Sequence, residues 1–371
     1  MNDSVKTIKE LEKILKLTVK EKKAITKIIE NTPMRIPKYY LNLIDKENKN
    51  DPIRKLIIPS EKELIETGEF DTSGEKKSYV QPGLQHKYTK TAVVIPTTNC
   101  AGYCRHCFRK RLAGKKSKEV AADFEKIFKY LKENKKIDNV LVTGGDPLTL
   151  PTEKIKKIIY GLRAIDSIKI IRFGTRMPAL QPTRITKDKE LLELIKEHSL
   201  PKKRIYFVNH FNHPKELTEK SRKAINELIE ANAILVNQTV LLKDINDKPE
   251  TLTELFNRLA YNGVTPYYLF QCRPVKHATH FQVPLVEGYK VFEKAKKGMS
   301  GLAKRARYVM SHDTGKIMIL AVKNGKILFR YHQARNPKNQ GKLIEFNYNG
   351  KEKWFEDFQP EKLVIATFKY K

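Results

Sequence analysis

The chain of 371 residues carries 73 Lys and Arg against 42 Asp and Glu, a formal net charge of +31, with 40% hydrophobic residues and four cysteines. That length buries one large domain or two to three smaller units, and the hydrophobic share is that of a globular protein, which excludes a disordered chain or a small disulfide-stapled one. No apolar run reaches the roughly eighteen residues of a membrane span, and the Lys- and Glu-rich N-terminus argues against a secretory signal, so a cytosolic protein without a membrane partner is expected. The charge raises a nucleic-acid partner. The lysines, however, are spread through nearly every helical segment and no base-reading module is recognisable, which disfavours it. The sequence leaves a homo-oligomer open.

Residues 1 to about 50 read as helices: Ile8, Leu11, Ile14 and Leu15, then Ala24, Ile28 and Ile29, fall at helical spacing until Pro33 and Pro37 interrupt. A solvated cap with no chemistry is expected up to residue 60. From Phe70 to Gly83 a polar, Gly- and Lys-rich stretch reads as a loop or linker. A regular alternation follows, with strands at 91–96, 139–143, 168–173, 204–209, 234–241 and 266–272 and helices at 119–134, 155–162, 191–195, 215–231 and 252–259. Strands alternating with helices predict parallel βα units, whose chemistry gathers at the carboxyl ends of the strands. Periodicity does not separate an open sheet from a barrel. From about Val286 the alternation is expected to stop, giving way to a small β unit with strands at 307–310, 317–322 and 327–331. Lys323-Asn324-Gly325-Lys326 is its hairpin turn, and the unit, followed by an aromatic tail around Trp354, Phe355 and Phe358, is expected to pack against the barrel. The expected divisions are 1–83, 84–285 and 286–371.

Cys100, Cys104 and Cys107 share an eight-residue window directly after the first strand, so their thiolates can converge on one metal centre with little chain-closure cost. Structural zinc wants four ligands, and no second Cys/His pair appears. Three ligands leave a cubane cluster with one open iron, which can bind and reductively split a small molecule. Cys-x3-Cys-x2-Cys with Tyr103 before the second cysteine resembles the radical S-adenosylmethionine superfamily. Tyr103-Cys104-Arg105-His106-Cys107 followed by Arg109-Lys110-Arg111 is similar to the lysine 2,3-aminomutase family, as are Asp51-Pro52-Ile53-Arg54 and Ile57-Ile58-Pro59-Ser60. The resemblance implies an α/β fold, a partial (β/α)6 barrel with an N-terminal helical segment and a small C-terminal β unit. It also implies a [4Fe–4S] cluster, S-adenosylmethionine, pyridoxal 5′-phosphate and an electron donor such as flavodoxin or ferredoxin.

By the same resemblance Gly144, Gly145 and Asp146 contact the methionine moiety, the glycines letting backbone approach the bound group; a tight strand-to-helix turn is the bland alternative. Segments 171–176 and 209–214 resemble those lining the adenosyl side, which offers His210, His213 and Arg176 as cofactor contacts. Lys316, after Gly315, matches the lysine that binds pyridoxal phosphate, a role that needs an easily deprotonated amine. The family's glycine run before that lysine is replaced here by bulkier residues. Lys87 stands at one phosphate-binding position, while Thr91 occupies another where an arginine is expected.

Arg109 matches the arginine that holds the substrate α-carboxylate, a natural fork-shaped contact. Lysine-specific members carry two aspartates for the distal ammonium; here those positions are Arg273 and Val309, and Asp313 could substitute only through a remodelled loop. An arginine repels an ammonium and attracts a carboxylate. The expected function is therefore a radical aminomutase that moves an α-amino group to the β carbon of a small amino acid with an acidic side chain, glutamate first. The alternatives are a mutase of lysine, free or in elongation factor P, a radical enzyme modifying RNA, and a non-enzymatic iron–sulfur protein.

Overall fold

The computed structural model describes residues 3–358 and 364–366. In the N-terminal segment β1 (Ser4–Val5) pairs antiparallel with β2 (Ile36–Pro37). The helices Ile8–Glu12 and Val19–Asn31 are each started by a threonine, Thr7 or Thr18, whose hydroxyl caps the helix while a glutamate three residues on reaches back to the threonine N–H. Leu11, Leu15, Ala24 and Ile28 turn inward, as the helical spacing predicts.

One sheet follows whose spatial order is the chain order, from β3 (Tyr79–Gln81) through β4 (Leu84–Tyr88) and β5 (Thr91–Thr97) to β15 (Val364–Ala366). β3, β4 and β5 run antiparallel. From β5 through β6 (Asn139–Gly144), β7 (Ile170–Thr175), β8 (Ile205–Asn209), β9 (Ile234–Leu241) and β10 (Thr265–Gln271) to β11 (Arg307–His312), every neighbouring pair is parallel. β12 (Gly315–Lys323), β13 (Lys326–Ala334), β14 (Leu343–Asn347) and β15 return antiparallel. Among the described residues no pairing joins β3 to β15, so this is an open, partial barrel.

The crossover helices lay one apolar stripe on the sheet: in Thr152–Arg163 the stripe is Ile155, Ile158, Ile159 and Leu162, all buried. The strands alternate. Val140, Val142, Ile171 and Phe173 are buried, while Asn139, Leu141, Thr143, Arg172 and Gly174 line the central cavity.

Three expectations change. The alternation does not stop at Val286: the helix Leu285–Lys297 leads into β11, a seventh parallel strand, and the sheet runs without a break across residues 285 and 286. Tyr308-Val309-Met310 is a continuous buried run, as a strand covered on both faces should be. The stretch 70–83 is more than a linker, since it contains a 3-10 turn at Lys76–Ser78 and β3. The helix expected from 119 starts at Phe124, because the Asp123 carboxylate caps it by accepting from Lys126 N–H.

The turn between β12 and β13 is as expected, with Asn324 and Gly325 at φ 50° and 74°. In the tail, the rings of Phe355 and Phe358 lie 5.7 Å and 5.4 Å from that of Phe329 on β13, closing the end of the sheet.

Candidate active site

A cavity of about 660 Å³ lies within the curve of the sheet, with Cys100, Cys104 and Cys107 on one wall and Lys316 on another. The cysteine loop leaves β5 and is clamped from outside: Tyr103 N–H donates to Arg35 O and Arg105 N–H to Leu56 O. Arg105 forks onto Glu63 at 2.9 Å and 2.7 Å, and Lys110 reaches the same carboxylate at 2.7 Å. The Arg105 and Glu63 side chains are each 1% exposed. Burial pushes the Glu63 carboxyl up, but the two cations outweigh it and hold it at about 2. The N-terminal region is therefore no idle cap; it supplies Arg35, Leu56 and Glu63 as the mould of the loop.

Gly144-Gly145-Asp146 packs closely against the protein's own chain. A Cβ on Gly145 would lie 2.2 Å from Asn99 O, and one on Gly144, which has φ 122°, would lie 2.5 Å from Ile95 Cγ2. The room they leave is taken by the start of the cysteine loop, and Asp146 N–H ties down Asn99 O at 2.7 Å. The Asp146 carboxylate accepts from Thr175 Oγ1, Arg176 N–H and Leu148 N–H, which fixes the ends of β6 and β7 together.

All four cysteines are free. Among the described residues no three His, Cys, Asp or Glu side chains are drawn together at ligating distance. The Cys104 thiol instead meets Arg176 Nη1 at 2.5 Å. The donor set still fits a cluster: three thiols of one short loop face one cavity, with no fourth cysteine or carboxylate on that loop.

His210 follows β8. Its ring meets that of His106 edge to face at 5.4 Å, and its Nε2 is buried without a partner. Burial and Arg176 push it down to about 3, so it stands neutral and offers one nitrogen to the cavity. Arg176 also pairs with Glu216 at 2.5 Å. His213 does not line the cavity; its Nδ1 accepts from Lys215 N–H and starts a short turn.

Lys316 on β12 donates to Gln333 Oε1 at 2.8 Å and lies 4.9 Å over the Tyr88 ring. Burial, then Arg172, Lys87 and Arg273, push its ammonium down to about 7, which makes the free amine accessible near neutrality. Gly315 is required beside it, since a Cβ there would sit 2.2 Å from Gln333 O. Lys87 donates to the carbonyls of Ser73 and His312, and burial pushes it down to about 8. Thr91 also lines this end. Sequence reasoning did not single out Arg172 here: it sits at an inward position of β7, and its guanidinium donates from Nε to Asn139 Oδ1 at 2.8 Å.

Arg109 is engaged by Glu75, which accepts from Nε at 2.9 Å and Nη2 at 2.7 Å. Glu75 lies in the supposed linker and was also missed. Burial opposes its charge, but Arg109, Arg273 and Arg111 hold its carboxyl at about 2. Arg273 has no carboxylate partner among the described residues. It donates to Ser73 Oγ at 2.7 Å and lies 3.9 Å over the Phe108 ring, and burial pushes it down to about 10. Val309 is buried and Asp313 is turned towards Lys77 and Arg335, so neither presents an acid to the cavity. Six cations line the cavity, Lys87, Arg109, Arg172, Arg176, Arg273 and Lys316, against the carboxylates of Glu75 and Asp146, both already engaged.

A model of the Radical SAM superfamily matches residues 94–256. The chain is 43% identical over 370 residues to an Aquifex aeolicus protein provisionally named an L-lysine 2,3-aminomutase, covering 100% of this chain and 98% of that one. It is 35% identical over 304 residues to the L-lysine 2,3-aminomutase of Acetoanaerobium sticklandii, covering 81% and 72%. To the glutamate 2,3-aminomutase of Clostridioides difficile it is 35% identical over 305 residues, covering 82% and 71%. The chain belongs to the lysine 2,3-aminomutase family, radical S-adenosylmethionine isomerases that work with an iron–sulfur cluster.

Proposed function

We propose that this chain is a pyridoxal phosphate-dependent 2,3-aminomutase of a small amino acid with an acidic side chain, glutamate first. The observation that carries the reading is Arg273: half-buried, stacked on Phe108, and facing the cavity without a carboxylate partner among the described residues. Relatives named for lysine match at 31% to 43% identity and one named for glutamate at 35%, so both substrates occur within the range of similarity to this chain.

When bound, the cluster with S-adenosylmethionine supplies a radical that abstracts and returns hydrogen, and pyridoxal phosphate supplies a conjugated carbonyl that carries the migrating nitrogen. Cys100, Cys104 and Cys107 would hold the cluster. Gly144, Gly145 and Asp146 fix the loop that carries it, and His210 offers the cofactor a neutral nitrogen. Lys316, with its amine about half free near pH 7, would hold the aldehyde and give it up to the substrate amine. Arg172 and Lys87 face the same end and would meet the phosphate, Arg172 making up for the threonine at position 91. Arg109 would take the α-carboxylate and Arg273 the side-chain carboxylate, which orients the β carbon towards the cysteine wall. Residues 84–285 then hold the cluster end, 286–371 deliver the lysine, and 1–83 brace both. Free thiols around a reducible cluster suit a reducing cytosol and a flavodoxin or ferredoxin as electron donor.

The test is anaerobic reconstitution followed by incubation with S-adenosylmethionine, dithionite and a mixture of free amino acids, read by mass spectrometry. One β-amino acid, derived from glutamate, is expected. Turnover of lysine alone would overturn the reading of Arg273.

A further inference from the structure

A second concavity lies outside the cysteine loop, on the side away from the cavity. It is a cleft of about 350 Å³ between residues 18–21 and 49–62 of the N-terminal region and the loops after β9 and β10. Its three carboxylates are each taken: Lys20 pairs with Glu61, Arg54 with Glu21, and Lys62 with Asp244. Lys49, Lys55 and Lys243 have no carboxylate partner among the described residues, so the cleft carries a surplus of three positive charges.

His280 and Phe281 line it, their ring centroids 4.1 Å apart, and both ring nitrogens of His280 lack hydrogen-bond partners among the described residues. The Phe281 ring meets the His106 ring edge to face at 6.3 Å, and His106, between Cys104 and Cys107, lines the active cavity. The two concavities thus share one wall, made of Phe281 and His106. A basic rim one aromatic layer behind the cysteines is placed to receive a charged donor without opening the cavity to water or oxygen.

We propose that this cleft is the docking surface for a small acidic one-electron carrier protein, which reduces the cluster through the wall formed by His280, Phe281 and His106. The proposal rests on the reading of Cys100, Cys104 and Cys107 as the cluster ligands. In the step one electron leaves the carrier's reduced centre and one arrives at the cluster; no bond is made and no proton moves. Complementary charge raises the encounter rate and makes it fall with ionic strength.

Because lysines cover the whole surface, the test compares two equal changes of charge: Lys49→Glu with Lys243→Glu in the cleft, and Lys154→Glu with Lys157→Glu, exposed on the helix Thr152–Arg163. The probe is a recombinant acidic ferredoxin, with an acidic flavodoxin in a parallel arm, titrated calorimetrically into the reconstituted holoenzyme at low and high salt. Cluster bleaching by the reduced carrier is followed by stopped flow. The cleft pair is expected to weaken binding and slow bleaching about tenfold at low salt in at least one arm, the control pair by less than about twofold. Bleaching by dithionite, which needs no docking, stays unchanged in both. Equal loss in the two pairs, or none in the cleft pair, would overturn the docking surface while leaving iron–sulfur absorption and dithionite bleaching intact. So would an RNA oligonucleotide that loses binding with the cleft pair while both carriers keep theirs. Absence of iron–sulfur absorption in the unmutated protein would instead overturn the cysteine reading, and this proposal with it.

Discussion

The two ends of the cavity treat positive charge in opposite ways. At the cysteine end the buried cations Arg105 and Lys110 are answered by Glu63 and Arg176 by Glu216. At the lysine end Arg172, Arg273, Lys87 and Lys316 crowd together with, among the described residues, only amide, hydroxyl and carbonyl oxygens as hydrogen-bond partners. Buried charge without a counter-ion is costly. An end built complete serves as a rigid holder; an end left short of anions is built to be finished by ligands that bring them.

Lys316→Ala breaks the lysine end alone. Mutase activity and the aldehyde adduct with pyridoxal phosphate should both vanish while iron–sulfur absorption is kept, as ultraviolet–visible spectra of the reconstituted variant will check. An adduct that survives would place the aldehyde on another lysine. Glu63→Ala breaks the cysteine end, leaving two buried cations unpaired. A loss of about 3 to 5 kcal/mol in denaturant unfolding is expected, with iron retention falling alongside. A loss near zero would mean that the loop is not held by this carboxylate.

Arg273→Met keeps the bulk over Phe108 and removes the charge. Its kcat/KM for glutamate should fall about 100-fold, as expected for one member of a buried hydrogen-bonded charge pair, with lysine hardly affected. An equal fall for both substrates would mean a structural role.

Acid separates the ends further. Glu63 and Glu75 have carboxyls held at about 2 from an ordinary 4.5, so their contribution is complete above about 4.5 and is lost as pH falls towards 2. Unfolding midpoints should drop through that window, less so in Glu63→Gln. For Lys316 the folded value lies below that of a free lysine, so protonation in the lower range removes the nucleophile. Adduct formation should rise with pH and be half-maximal near pH 7. The smallest change is expected from Arg172→Met, which removes a like charge and moves that midpoint upward.

How much of this could be read from the chain follows the same division. The three cysteines proposed as cluster ligands share one eight-residue window, so their spacing pointed to them, and the parallel sheet was legible because its strands and helices repeat. Glu63 and Glu75 were not, because each is a single acid in an aperiodic stretch whose partners lie 42 and 34 residues away. Arg172 sat in a recognised segment, but only the β7 pleat shows that it points with Asn139 and Thr91 towards Lys316. β11 was assigned to a separate unit because the helix before it, with Gly288 and four lysines, gives a weak apolar signal. The packing of the double glycine against the start of the cysteine loop was not legible, since nothing in a sequence says which neighbour occupies the space of a missing Cβ.

The most direct test is competition: equimolar isotope-labelled glutamate and lysine offered to the reconstituted enzyme, with the ratio of β-amino acids measured at early times. Unanswered arginines at the lysine end predict β-glutamate in large excess. β-Lysine in excess would contradict the account, because an ammonium would then have been accepted where only positive charge awaits it.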